Sequence, residues 1–265
     1  MPVRVTGQAR EIAKAIDNFP AAYHAGFSDV RAIGRRYVAA AAPADDVVAE
    51  LAQALRGVLG RWGAGKREAP ELRGAEEVAN VLRHGETHAS LASLGRISLS
   101  ALNSLHGRRY LNGKLVAPEE LATFESNLFG ALHILGEHLF VRNTNATYPM
   151  KAVLLITGFM PAFDSQVRSG LQRGGFLGMD KTQYLLPTDA TRADGKKIAR
   201  LPFLLGECWA ACTWQLHKGI ENSKYRELLG EPGRVFDVLL FMQANKKNPV
   251  LVTYDPPGQS WYDWA

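Results

Sequence analysis

The sequence predicts a mainly α-helical, compact multi-helix protein with a minor strand component at its C-terminal end. Apolar residues recur at helical spacing through most of the chain, and proline, glycine and Asx residues punctuate those runs. A short β-branched run is confined to Val250–Tyr254, closed by Asp255-Pro256-Pro257-Gly258. At 265 residues, 46% apolar and 22% charged, the chain has the composition of a folded globular protein with a large core. One compact domain over residues 1–265 is expected. The weak subdivision near 112–117 is a turn and not a linker.

In order, residues 8–18 and 28–42 read as short helices interrupted at Phe19-Pro20. Asp45 or Asp46 is placed to cap the next, Val47 to Leu59, whose Val48, Leu51, Leu55, Val58 and Leu59 share a face. The run Arg61-Trp62-Gly63-Ala64-Gly65-Lys66-Arg67 breaks the pattern. Helical spacing resumes over 76–83 and 89–105, and 107–114 reads as a basic turn. Pro118-Glu119-Glu120 opens the clearest helix, with proline in the first turn, acids at the positive end of the dipole and an apolar stripe through Leu139. Asn143-Thr144-Asn145 ends it. Lys151 opens a strongly apolar helix, and a Gly-Phe-Met-Pro loop then delivers Asp164 to the start of another. After a glycine-rich connection and a polar stretch over 179–200, residues 201–217 and 234–243 are again helical.

Several function classes lose support. The N-terminus lacks a signal-peptide apolar region, and no apolar run approaches the roughly 18–20 residues that span a bilayer, so a cytoplasmic protein with no membrane partner is expected. The only cysteines, Cys208 and Cys212, lie four apart on one helical face, where they are neighbours poorly placed to bridge. They read as core residues of an apolar helix. His84 and His88 have a chelating spacing but no third ligand, so neither metal nor cofactor is expected. Gly63-Ala64-Gly65-Lys66 lacks the strand, spacing and Ser/Thr of a phosphate loop, and no Gly-x-Ser-x-Gly elbow is present. The aromatic tail Trp261-Tyr262-Asp263-Trp264 is expected to fold back over a groove.

Charge collects in one place. Residues 142–200 carry nine Lys/Arg against four Asp, an excess equal to the net +5 of the whole chain. Basic and aromatic residues also interleave at Arg61-Trp62 with Lys66-Arg67 and over 106–110, mixtures able to grip phosphates and stack on bases. Asp164 has the position of an N-cap, and Lys151, at a helix opening that disfavours a cation, invites a partner. On the simplest account Asp164 caps, Lys151 is solvated and Val153–Ile156 fill the core.

The segment from Lys151-Ala152 through Pro161-Ala162-Phe163-Asp164-Ser165-Gln166-Val167-Arg168 resembles the catalytic segment of the helix–hairpin–helix DNA glycosylases. Thr147-Tyr148-Pro149-Met150 stands where that family has its hairpin. The stretch also resembles uncharacterised bacterial proteins with a Lys…Pro…Asp core, a likeness that implies no activity. The glycosylase resemblance implies that Lys151 is the lysine that attacks the sugar, and Asp164 the aspartate that assists departure of the base. It implies DNA as partner, with Arg168, Arg173, Lys181, Lys196, Lys197 and Arg200 at phosphates. Phe163, Tyr184 and Trp209 are then the aromatic candidates for a flipped-base pocket. The other class left open is a non-enzymatic helical protein-interaction or scaffold protein.

Overall fold

A computed structural model describes residues 2–105, 108–142, 144–179, 185–188 and 192–255, with the backbone alone at 193 and 194. Lys181, Tyr184 and the aromatic tail lie outside the described residues. Helix α1 (Ala9–Asn18) and helix α2 (Ala21–Ala39) flank Phe19-Pro20, where Phe19 is extended ahead of the proline. Helix α2 starts earlier than its apolar spacing suggests, because Tyr23, His24 and Phe27 already face the interior. Helix α3 (Asp45–Arg61) begins at both acids; neither caps it, and they sit in its first turn, where Asp45 pairs with Arg83 at 2.7 Å. Helix α4 (Ala75–Arg83) and helix α5 (Gly85–Gly95) follow.

The helix expected over 89–105 is corrected. It ends at Gly95, and a 3-10 turn (Leu99–Ala101) leads into a three-stranded antiparallel meander of β2 (Leu102–Leu105), β3 (Arg108–Leu111) and β4 (Lys114–Leu115). Asn112 and Gly113 both take positive φ, 51° and 76°, the demand of a tight hairpin turn. A second, two-stranded sheet joins β1 (Val3–Val5) to β5 (Val252–Tyr254), Val3 opposite Tyr254. The C-terminal strand therefore exists where the sequence placed it, but its partner is the N-terminal segment.

Helix α6 (Pro118–His138) has its expected opening, with Glu120 Oε2 accepting from the Ala117 amide at 2.8 Å. Helix α7 (Thr147–Thr157) is the centre of the molecule: from Pro149 to Thr157 every residue is buried, and α2, α3, α5 and α6 pack around it. Gly158, at φ 66°, ends it in a left-handed turn. Helix α8 (Ser165–Arg173) crosses helix α11 (Pro232–Gln243) closely enough that a Cβ on Gly170 would lie 1.8 Å from the Leu240 carbonyl oxygen. The single helix expected over 201–217 is two, α9 (Ala193–Ala211) and α10 (Thr213–Glu221). Thr213 Oγ1 donates to the carbonyls of Trp209 (2.8 Å) and Ala210 (3.1 Å), competing with the backbone ladder at the break. One continuous cluster of buried side chains runs from Val3 to Tyr254. Among the described residues no helix is long and apolar enough to cross a membrane.

His24 shows how tightly this core is closed. Its Nε2 lies 3.0 Å from the Ile16 carbonyl oxygen and its ring stacks on Tyr225 at 3.8 Å. Burial, reinforced by the charge of Arg234 and opposed by the Ile16 carbonyl, lowers its pKa to about 4. Between pH ~6.5 and ~4 the unfolded chain accepts a proton that the native imidazole refuses, so this group's stabilisation is complete above that window and fades as pH falls through it. Urea unfolding of the wild type at pH 7 and pH 4.5 should show an acid loss larger than that of His24→Gln, by up to about 3 kcal/mol. Equal losses in the two proteins would remove His24 as the cause.

Candidate functional site

Lys151 and Asp164 are brought together. Lys151 is the fifth residue of α7 and not its first, because Thr147–Met150 form the opening helical turn and no hairpin loop. Nor is it solvated: at 7% exposure, its Nζ donates to the Trp62 carbonyl at 3.3 Å and lies 4.8 Å from the centre of the Tyr148 ring. Its third neighbour is Asp164, whose Oδ2 is 3.7 Å from Nζ. The other carboxylate oxygen of Asp164, Oδ1, accepts from the amides of Gln166 and Val167 at 3.0 Å each. Asp164 is thus the N-cap the sequence predicts, with one oxygen used for the cap and one turned to the lysine.

The loop between α7 and α8 is fixed from behind. Asp237 Oδ1 accepts from the Ala162 amide at 2.9 Å, and its Oδ2 is 2.5 Å from Arg234 Nη1. Arg234 is 1% exposed. Its Nη2 donates to the Tyr23 carbonyl at 3.0 Å, and its guanidinium carbon lies 4.8, 5.0 and 5.4 Å from the rings of Phe19, Phe27 and Trp62. Its Nε has no acceptor among the described residues, so aromatic faces stand where one would be. Burial pushes the Asp237 carboxyl up to about 6 despite the arginine. The negative charge of Asp164 favours the charged form of Arg234 and disfavours that of Asp237, which couples the buried pair to the site.

In front of the pair opens a cleft of about 740 Å³, within the roughly 300–1,000 Å³ of small-molecule sites. One wall is the loop from Arg67 to Glu71, the other is formed by Val141, Arg142, Thr144 and Asn145, with Tyr148, Lys151, Asp164, Ser165 and Arg168 between them. The walls are tied by Val141 N–H to the Glu71 carbonyl (2.9 Å) and Arg73 N–H to the Leu139 carbonyl (3.0 Å). Arg67 holds φ 54°, costly for a residue with a Cβ, on the rim. Burial raises the pKa of Tyr148, and the charge of Asp164 raises it further. The lining charges are Arg67, Arg142, Lys151 and Arg168 against Glu68, Glu71 and Asp164.

The phosphate contacts drawn from the sequence fare unevenly. Arg168 reaches the cleft, but it is 8% exposed and its Nη1 donates to Thr147 Oγ1 at 3.1 Å and to the Phe163 carbonyl. Arg173 leaves the set: its guanidinium donates to the carbonyls of Gln243, Asn245, Lys246 and Asn248, clamping the turn after α11. Lys197 leaves it too, at 6% exposure. Lys196 is exposed on α9, and Arg200 is half-buried beside Arg109, its pKa lowered by that burial. None of these four lines the cleft. Phe163 is buried behind the site, and Trp209 packs on Phe236 and His217. The basic and aromatic run at 61–67, which the sequence offered as one of two such mixtures, is the part that arrives: the Trp62 carbonyl holds Lys151 and Arg67 stands at the rim.

Of the histidine pair, His84 is exposed and His88 is buried with Nε2 3.0 Å from the Tyr37 carbonyl oxygen. Arg234 and Asp237 are the site residues that sequence reasoning missed, and it gave the ring of Tyr148 no role. The one available signal was an arginine and an aspartate three apart in an otherwise apolar helix. No protein-family model, curated protein or solved structure matches this chain.

Asp237→Ala leaves Arg234 buried without its counter-ion and the Ala162 amide without its acceptor. It should cost about 3–5 kcal/mol in urea unfolding. A loss below ~1 kcal/mol, the scale of a surface ion pair, would mean that the buried pair does not hold the loop.

Proposed function

We propose that this chain binds nucleic acid, specifically DNA, and that Lys151 and Asp164 form a glycosylase-like base-excision site. The observation that carries the proposal is an amine and a carboxylate 3.7 Å apart at the floor of an open polar cleft. Asp164 would stabilise the positive charge that develops on the sugar as the base departs. Lys151, after giving up a proton, would attack the sugar carbon and form a Schiff base, with Asp164 as the adjacent proton acceptor. Tyr148 flanks the site as an aromatic face for a base. Phosphates would meet Arg67 and Arg142, both exposed on the rim, in place of Arg173 and Lys197.

A second reading has its own support. Lys151 and Asp164 are satisfied by the protein itself, through the Trp62 carbonyl, the Tyr148 ring and the α8 cap. On that reading the pair only locks α7, α8 and the loop after α3 together in a non-enzymatic interaction or scaffold protein.

One substitution separates the two. Asp164→Asn keeps an oxygen for the cap but removes the carboxylate charge facing Lys151. The catalytic reading predicts loss of base release from duplexes carrying oxidised, alkylated or deaminated bases, with a melting temperature close to wild type. It also predicts that borohydride traps a protein–DNA adduct, and that Lys151→Gln gives none. Wild-type protein that releases no base from any of these duplexes leaves the scaffold reading. There the measurable effect is stability, with Asp164→Ala losing about 1 kcal/mol.

A further inference from the structure

The arginines that the fold draws away from solvent are, in most places, given an acceptor. Arg31 donates to Glu231, Arg56 to the Arg73 carbonyl, Arg73 to the Phe140 carbonyl, Arg168 to the Phe163 carbonyl, Arg173 to the Gln243 carbonyl and Arg234 to Asp237. Arg109 and Arg200, both half-buried, are the exceptions: among the described residues neither guanidinium makes a hydrogen bond. Arg200 Nε is closed off from solvent with no acceptor. Arg109 has an ion pair with Glu125 of α6, but Nη1 and Oε1 are 3.9 Å apart, too far for a hydrogen bond. These two residues are also neighbours. Arg109 stands on β3 opposite Ser104 of β2, and its guanidinium carbon lies 5.7 Å from the centre of the Phe203 ring on α9. Arg200 is one turn before Phe203 on the same helix face. Helix and meander are fixed against each other, since a Cβ on Gly206 would lie 2.2 Å from the Leu102 carbonyl oxygen. Exposed Lys196 precedes Arg200 by one turn, and exposed Lys114, opposite Leu111, shares Arg109's face of the sheet. Burial lowers the pKa of both arginines; the charge of Arg109 lowers that of Arg200 further, and Glu125 opposes the shift in each.

We propose that Arg109 and Arg200 form an anion site, separate from the cleft, that takes a phosphoryl group. A half-buried guanidinium has given up part of its hydration, and leaving its donors without acceptors costs about 1–3 kcal/mol or more for a charged group. This fold supplies the acceptor at its other withdrawn arginines, and here two unengaged forks are held side by side with one distant carboxylate between them. An acceptor from outside the chain completes the arrangement. Its chemistry follows from the donors. A carboxylate is used up by one bidentate fork, whereas a phosphoryl group has enough oxygens to serve two guanidiniums at once. Lys196 and Lys114 leave the surroundings positive after Glu125 is counted, which suits the multiple charge of a phosphate. The same group is carried by a phosphorylated small molecule and by a nucleic-acid backbone. None of these residues lines the cleft, so the site does not depend on the chemistry of Lys151 and Asp164.

The test uses the intact chain with inorganic phosphate as the probe. Wild-type protein is labelled with phenylglyoxal, an arginine-selective reagent, and the labelled positions are mapped by peptide mass. As phosphate replaces chloride at constant ionic strength, labelling at Arg109 and Arg200 should fall saturably, while exposed Arg61 and Arg96 keep theirs. The melting temperature should rise over the same range. Arg109→Gln and Arg200→Gln should each weaken that response by about tenfold or more, the scale of one charge-assisted hydrogen bond. Changing Arg67 and Arg142 of the cleft to Gln should leave it unaltered. A short DNA duplex used in place of inorganic phosphate separates the two sources. Protection by both assigns the site to a nucleic-acid backbone, and protection by phosphate alone assigns it to a phosphorylated small molecule. Wild-type protein in which phosphate protects Arg109 and Arg200 no more than Arg96 overturns the proposal. That result stands even if the variants do not fold, and it leaves base release at the cleft to be judged by its own assay.

Discussion

A full positive charge with 1% exposure, that of Arg234, is tolerable only because Asp237, the Tyr23 carbonyl and three aromatic rings surround it. Desolvating such a charge costs several kcal/mol even after relaxation, so each group around it is constrained by the need to offset that cost. Phe19 comes from the break between α1 and α2, Tyr23 and Phe27 from α2, and Trp62 from the end of α3. Asp237 answers Arg234 one turn along α11 and, with its second oxygen, takes the amide of Ala162. Three parts of the chain distant in sequence, residues 19–27, Trp62 and α11, are thereby fixed to the loop that ends at Asp164.

The same constraint shapes what faces solvent. Trp62 presents its ring to Arg234 and its carbonyl to Lys151, so the buried cation and the cleft lysine share one residue. Asp164 lies within the electrostatic reach of Lys151, Arg234 and Asp237. A charge placed or removed at the floor of the cleft is therefore felt in the core. The Gly158 turn is closed just as tightly: a Cβ there would meet Glu231 Oε2 at 2.1 Å, and Glu231 is itself paired with Arg31 at 2.8 Å and with Arg35 at 2.6 Å. Rigid support behind a polar cleft is what a preorganised site requires, and also what a well-packed scaffold has.

Much of the helical layout was legible because one-sided apolar spacing and strong punctuation coincide, as at Phe19-Pro20, Pro118-Glu119-Glu120 and Gly158. The N-cap at Asp164 was legible for the same local reason. The meander over 102–115 was not, since Leu102 and Leu105 also continue a helical spacing and only Asn112-Gly113 marks the hairpin. The pairing of β1 with β5 joins residues some 250 positions apart and leaves no local signal. Within the site, proximity in sequence revealed Lys151 and Asp164 but misjudged the exposure of their basic neighbours. Arg173 and Lys197 look like surface cations in a polar stretch, and only the fold turns one onto four carbonyls and the other inward. Arg234 was hidden by an apolar helix that gives no hint of the aromatic residues gathered from elsewhere.

Nucleic-acid binding through the cleft is the claim on which the proposed chemistry depends. Its most direct test is binding of fluorescently labelled duplex and single-stranded DNA across a salt series, with wild type beside a double variant in which Arg67 and Arg142 are changed to Gln. Binding at low salt should weaken steeply as salt rises, and the slope in the variant should be shallower by about one unit for each phosphate no longer neutralised. Absence of binding at low salt, or a slope unchanged by neutralising the rim, would contradict a nucleic-acid site in this cleft.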